Sequence, residues 1–150
     1  MSLLQEIQKE SILAMKEKNT VKQDILKLLI AALKNAQIAK PGGKELTKEE
    51  EVKVIFSESK KIKDSIEKFK EAGREDLLNR EEEQLGYVEK YLPAQAGEDD
   101  IIKVVEKAIK EVDASGMGDM GRVMGLVMKE LQGKADGAVV NRIVKSKLSE

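Results

Sequence analysis

Arg122, Lys129, Lys134, Arg142 and Lys145 gather near the end of the chain, around a short glycine-containing bend at Gln132–Ala135. Guanidinium and ammonium groups are charge-assisted donors that suit phosphate oxygens. Asn141 adds a neutral group able to bond a sugar or a phosphate. A helix opening at Asp136–Gly137 would supply backbone donors at the positive end of its dipole. Gly133 and Gly137 would let a ligand's backbone come close. The chemistry of such a set is recognition of a phosphate rail rather than bond making. No aromatic residue stands among these positions, so bases have nothing to stack on. Shape and backbone recognition of structured RNA is therefore favoured over reading of single strands. A solvated basic face with no ligand fits the same residues equally well.

Other chemistries are poorly supplied. The chain has no Cys and no His. Disulfides, thiolate metal sites, Cys nucleophiles, the usual catalytic triads and nearly all transition-metal sites are therefore excluded, and no metal ligand set is expected. Gly116-Met117-Gly118-Asp119-Met120-Gly121 spells the letters of a dinucleotide fingerprint, but that motif needs a strand before it, and Ile101–Val112 has helical period. Gly133-Lys134 lacks the upstream glycine of a phosphate-binding loop. No cofactor is expected. Glu81, Glu82 and Glu83 sit consecutively with no apolar pocket to raise a carboxyl pKa, and they read as a solvated face. A helix-turn-helix made from the last two helices is disfavoured by the thin charge of +2 over residues 114–150, so no DNA partner is expected.

The elements that must position these residues are helices. Of 150 residues, 41% are hydrophobic and 37% charged, enough for one ordinary domain or two small helical ones. Only four aromatics occur (Phe56, Phe69, Tyr87, Tyr91), so the core must be aliphatic. The net charge is −1, which argues against indiscriminate polyanion binding. It is unevenly spread: +3 over residues 1–40, −6 over 41–100 and +2 over 114–150. The acidic middle reads as helix faces laced by ion pairs. No apolar run is long enough to span a membrane, and Met1–Glu6 lacks the basic-then-apolar pattern of a secretion signal, so a cytoplasmic protein is expected.

Leu3, Leu4 and Ile7 open a first amphipathic stretch that runs through Met15. Thr20 is the expected N-cap of a second helix, with Val21, Ile25, Leu28, Leu29, Ala32, Leu33 and Ala36 on its apolar face and Leu26 and Ile30 beside it. Pro41-Gly42-Gly43 should end it. Thr47-Lys48-Glu49-Glu50 is a capping box ahead of a long helix striped by Val52, Ile55, Phe56, Ser59, Ile62, Ile66 and Phe69. Gly73 stops that helix, and a fourth runs from about Glu75 to Tyr91. Three more are expected: one after the acidic start Glu98-Asp99-Asp100, one over Met120–Leu131, and one over Gly137–Leu148 capped by Asp136. Met117, Met120, Met124 and Met128 read as core, and Gly121 and Gly125 as sites where helices approach closely. No segment alternates with period two. The expectation is an all-α fold in two lobes: a helical lobe at 1–92, a linker at 93–97, and a three-helix lobe at 98–150.

Several motifs together resemble a known family. They are the Leu-Leu start, "AALKNA" at 31–36, Ala72-Gly73-Arg74-Glu75-Asp76-Leu77, Tyr91-Leu92-Pro93 followed by Gln95, Asp119-Met120-Gly121-Arg122-Val123-Met124-Gly125, and Gly133-Lys134-Ala135-Asp136-Gly137 with Val140, Asn141, Val144 and Lys145. The whole chain resembles the YqeY-like proteins, free-standing relatives of the C-terminal part of GatB, the B subunit of the Asp/Glu-tRNA amidotransferase. The resemblance implies the two-lobed helical fold and a tail of the kind that contacts the tRNA body, without the catalytic cradle of the larger subunit. It also carries the label of carbon–nitrogen ligase activity with glutamine as amido-N-donor, for which no catalytic residue is apparent in this chain. The favoured expectation is a tRNA-binding accessory module. The alternatives are an adaptor docking on an amidotransferase or an aminoacyl-tRNA synthetase, and a component of the glutamine-dependent ligase itself.

Overall fold

The computed structural model describes residues 1–150, which form seven α-helices and no strand. They are α1 (Leu3–Lys16), α2 (Thr20–Ala39), α3 (Lys48–Glu71), α4 (Glu75–Glu89), α5 (Glu98–Val112), α6 (Met120–Leu131) and α7 (Gly137–Leu148). By their contacts the residues fall into two compact units, Met1–Leu92 and Pro93–Glu150. No helix is long and apolar enough to cross a membrane.

In the first unit α1 packs on α2 and α3 on α4, and α2 touches both α3 and α4. Its core is aliphatic: Leu3, Ile7, Ile25, Leu26, Leu29, Leu33, Ile55, Ile62, Ile66 and Val88. Local signals set the boundaries. Thr47 accepts from the Glu50 N–H at 3.2 Å, and Glu50 accepts from the Thr47 N–H at 3.0 Å, closing the box that starts α3. The Lys40 ammonium, 2.7 Å from Glu50, is the main cause of a carboxyl held down at about 2. Gly42, Gly43 and Gly73 take positive φ where the chain leaves α2 and α3, a conformation that costs a side-chain-bearing residue energy.

Two expectations need correction in this unit. The N-cap of α2 is Asn19 rather than Thr20: the Asn19 carboxamide oxygen accepts from the Lys22 N–H at 3.1 Å, and its NH2 donates to the Tyr87 hydroxyl at 3.1 Å. That bond to α4 uses Asn19 and leaves Thr20 as the first helical residue. Leu28, expected on the buried face, is 46% exposed. The buried arc of α2 centres on Ile25, Leu26, Leu29 and Leu33, and at about 100° per residue Leu28 lies well over 90° away. The first helix runs through Met15 as expected, with that side chain exposed near its end.

In the second unit α5, α6 and α7 all pack on one another. They enclose Ile101, Val105, Ala108, Val123, Val127, Leu131, Ala135, Val140, Ile143, Val144 and Leu148. Residues 93–97 are bonded into this unit. The Gln95 side chain donates to the Gly133 and Pro93 carbonyls, each at 2.8 Å, and the Ala96 N–H donates to the Lys134 carbonyl at 2.9 Å. Gly97 precedes α5, its N–H bonded to Asp100 at 3.2 Å. Of the four methionines expected in the core, Met120, Met124 and Met128 lie against it, but Met117, in a short 3-10 turn, is 43% exposed.

Candidate nucleic-acid interface

Arg122, Lys129, Lys134, Asn141, Arg142 and Lys145 are all exposed: Lys134 in the loop between α6 and α7, the other five as the apolar period of their helices requires. On α6 the buried Val123, Val127 and Leu131 send Arg122, Gly125 and Lys129 to the opposite, outward arc. On α7 the buried Val140, Ile143, Val144 and Leu148 leave Asn141 and Lys145, four residues apart, on one outward stripe. Arg142 lies about 100° further round.

Their partners differ. Arg122 is ion-paired with Asp119 one turn earlier. The Ser115 N–H, then the Arg122 guanidinium, hold the Asp119 carboxyl below the usual range. Arg142 reaches Glu98 at the first turn of α5, 3.6 Å away, in a pair exposed on both sides. Exposed pairs contribute little, so a phosphate can compete for either arginine. Lys129 lines a shallow recess between α5 and α6 with Lys107, Glu111 and Glu130. No hydrogen bond or ion pair joins any two of the six candidates.

Lys107 is a cation that the sequence reading missed. It lies far from the others in the chain, and only the outward face of α5 could have signalled it. The expected anion seat at the start of α7 is already filled. The Asp136 carboxylate accepts the Ala138 N–H at 2.9 Å and places a negative charge there.

The glycines divide into two kinds. Gly133 is buried, with φ of 75°, at the chain reversal between α6 and α7. A Cβ at Gly137 would meet only the Met128 Cε, at the ordinary contact distance of 3.8 Å. Gly121 and Gly125, expected to bring helices together, do not do so: a Cβ at either would meet nothing within 4 Å. They face outward beside Arg122 and Lys129. Replacing Gly125 with alanine is therefore expected to raise stability by about 0.5–1 kcal/mol, through helix propensity alone. Urea unfolding measures this, and a loss of stability would mean that the position is packed after all.

Comparison with known proteins adds the family. Residues 4–148 match the family described as Yqey-like protein. This chain belongs to that family. Among its relatives, "Altered inheritance of mitochondria protein 41, mitochondrial" from Pyrenophora tritici-repentis is 32% identical over 142 residues, covering 91% of this chain and 74% of its own length. A glutamyl-tRNA(Gln) amidotransferase subunit from Thermococcus sibiricus is 30% identical over 145 residues. That match takes in 94% of this Yqey-like chain but only 22% of the amidotransferase subunit. The corresponding subunit from Methanobrevibacter smithii is 50% identical over 52 residues, 35% of this chain and 8% of its own length. The chain thus spans a small part of the amidotransferase subunits it matches, and a Yqey-like chain of this length is comparable with one segment of them.

Proposed function

We propose that this protein is a tRNA-binding accessory module that grips the outer sugar-phosphate backbone with the exposed face of its second unit. The observation that carries the reading is the outward display of Arg122, Lys129, Lys134, Arg142 and Lys145 on a chain similar, along nearly its whole length, to part of an enzyme subunit named for glutamyl-tRNA(Gln). Asn141 stands on the same stripe as Lys145 and is suited to a sugar or phosphate oxygen. The open backbone at Gly121 and Gly125 allows a rail of phosphates to come near α6 between Arg122 and Lys129. The chain would work in the company of an amidotransferase or a synthetase, in the compartment that holds tRNA. Carbon–nitrogen ligase chemistry would then belong to the partner.

Binding of total tRNA across a salt series tests the reading. Lys134→Gln with Arg142→Gln is expected to flatten the slope of log affinity against log salt by roughly one to two units. An unchanged slope removes these two residues from the interface. A partner protein recovered by pull-down after nuclease treatment, with no tRNA binding at any salt, would favour the adaptor reading instead, for which the −6 charge of residues 41–100 is the motivating feature.

A further inference from the structure

A second cluster of charged and aromatic groups lies in the first unit. Met1, then Glu6, Lys9 and Glu10 of α1, Lys22 and Leu26 of α2, and Tyr87, Lys90 and Tyr91 at the end of α4 line a recess of about 460 Å³. The Tyr87 ring is fixed at its hydroxyl, which accepts the Asn19 side-chain N–H. It also carries two ammonium groups, Lys22 at 5.6 Å and Lys90 at 5.5 Å from its centroid. Lys22 is held in turn by the Glu10 Oε2 at 3.2 Å, which leaves the other Glu10 oxygen available. Tyr91 lies half-buried beside Glu6 and Glu10. Burial first, and then these two carboxylates, push its hydroxyl up to about 12; like any phenol at neutral pH it is a donor.

We infer that this recess binds a small zwitterion of the α-amino-acid class, its ammonium group against Glu6 and Glu10 and its carboxylate against Lys9 and Lys90. The signs of the lining charges select such a ligand. A purely anionic ligand would meet two carboxylates, and a purely cationic one would meet three ammonium groups. A ligand with both charges a few ångströms apart satisfies both sets at once. The Tyr91 hydroxyl supplies a further donor, and Leu26 and the tyrosine rings supply apolar wall for a side chain. A polyanion such as RNA is disfavoured by the same two glutamates. This site does not depend on the tRNA reading.

The chain reports on this site by itself. It has no Trp, and its only two tyrosines, Tyr87 and Tyr91, both line the recess. Tyrosine fluorescence of the full chain, titrated in turn with each non-fluorescent amino acid and with acetate, ethylammonium and inorganic phosphate, is expected to change saturably with at least one amino acid and with none of the one-signed ions. Glu6→Gln and Lys90→Met should each weaken that response about tenfold while circular dichroism stays unchanged, since each removes one charge-assisted contact. No saturable response to any amino acid overturns the inference, as does an equal response to acetate or phosphate. If both variants bind as tightly as the parent chain, the charge assignment is wrong. None of these outcomes bears on the salt slope for tRNA, so the two readings fail separately.

Discussion

Glu51→Ala is expected to lower the melting temperature by about 10 °C or more. Glu51 is in the first turn of α3, yet it is only 4% exposed. Its carboxylate leaves α3 and accepts two backbone N–H groups at the start of α1, from Leu3 at 3.3 Å and Leu4 at 2.9 Å. The first N–H groups of any helix have no partner within it, and here an acid from elsewhere in the chain supplies one. The interaction joins residues 48 apart, so it fixes tertiary structure as well as a helix end. Removing the acceptor strands two donors, and Leu3 is itself buried, which keeps water from replacing it fully. Hydrogen bonds to a charged group are worth about 1.5–3 kcal/mol each, and water can take over part of the loss at the half-buried Leu4, so a net loss of about 2–3 kcal/mol is expected. For a unit of this size each kcal/mol moves the midpoint by about 4–8 °C. Glu51→Gln, which keeps an acceptor oxygen but drops the charge, should fall in between. Thermal unfolding followed by circular dichroism gives the comparison. Parent-like stability of Glu51→Ala would show that solvent had taken over both N–H groups.

The second large effect contrasts neighbours. Leu29→Ala should cost about 2–5 kcal/mol, whereas Leu28→Ala should cost less than about 1 kcal/mol. Leu29 is 0% exposed, in the centre of the first unit's core, so its removal combines lost transfer energy with a cavity. Leu28 keeps 46% of its surface in water and has much less to lose. Urea midpoints of the two variants, measured side by side, settle the assignment of the α2 face. Equal costs would place Leu28 in the core where its spacing first suggested it.

That contrast shows where legibility ended. Helix positions and ends were readable because their causes are local: Thr47 and Glu50 meet within one turn, Gly73 reverses the chain at its own φ, and Asp136 caps the helix it precedes. The face of α2 was not, because the helix is apolar on more than one side and only its neighbours select the arc. Asn19 and Thr20 are adjacent residues able to cap, and the choice depends on Tyr87, far along the chain. Glu51 looked like any acid in a first turn until α1 was laid against it. Gly121 and Gly125 carry the small-residue spacing of a helix contact, yet nothing packs there. For the candidate interface, helical period tells which cations of α6 and α7 face outward, but says nothing of Lys134 in the loop between them. It did not foresee that Arg122 and Arg142 would each settle on a different carboxylate, or that Asp136 would fill the seat at the start of α7. The tyrosine recess draws on three helices, and no sequence spacing announces it.

The backbone around Lys134 has a consequence for how its ammonium would be used. Its N–H is bonded to the Leu131 carbonyl at 2.9 Å, its carbonyl receives Ala96, and the neighbouring Gly133 carbonyl receives Gln95. A phosphate grasping this lysine would immobilise a side chain launched from a mount already rigid, so the entropic toll of association is confined to the four methylenes of the stem. Gln95→Ala, which cuts this brace without altering a charge, should weaken tRNA binding at fixed salt while leaving the slope against log salt unchanged.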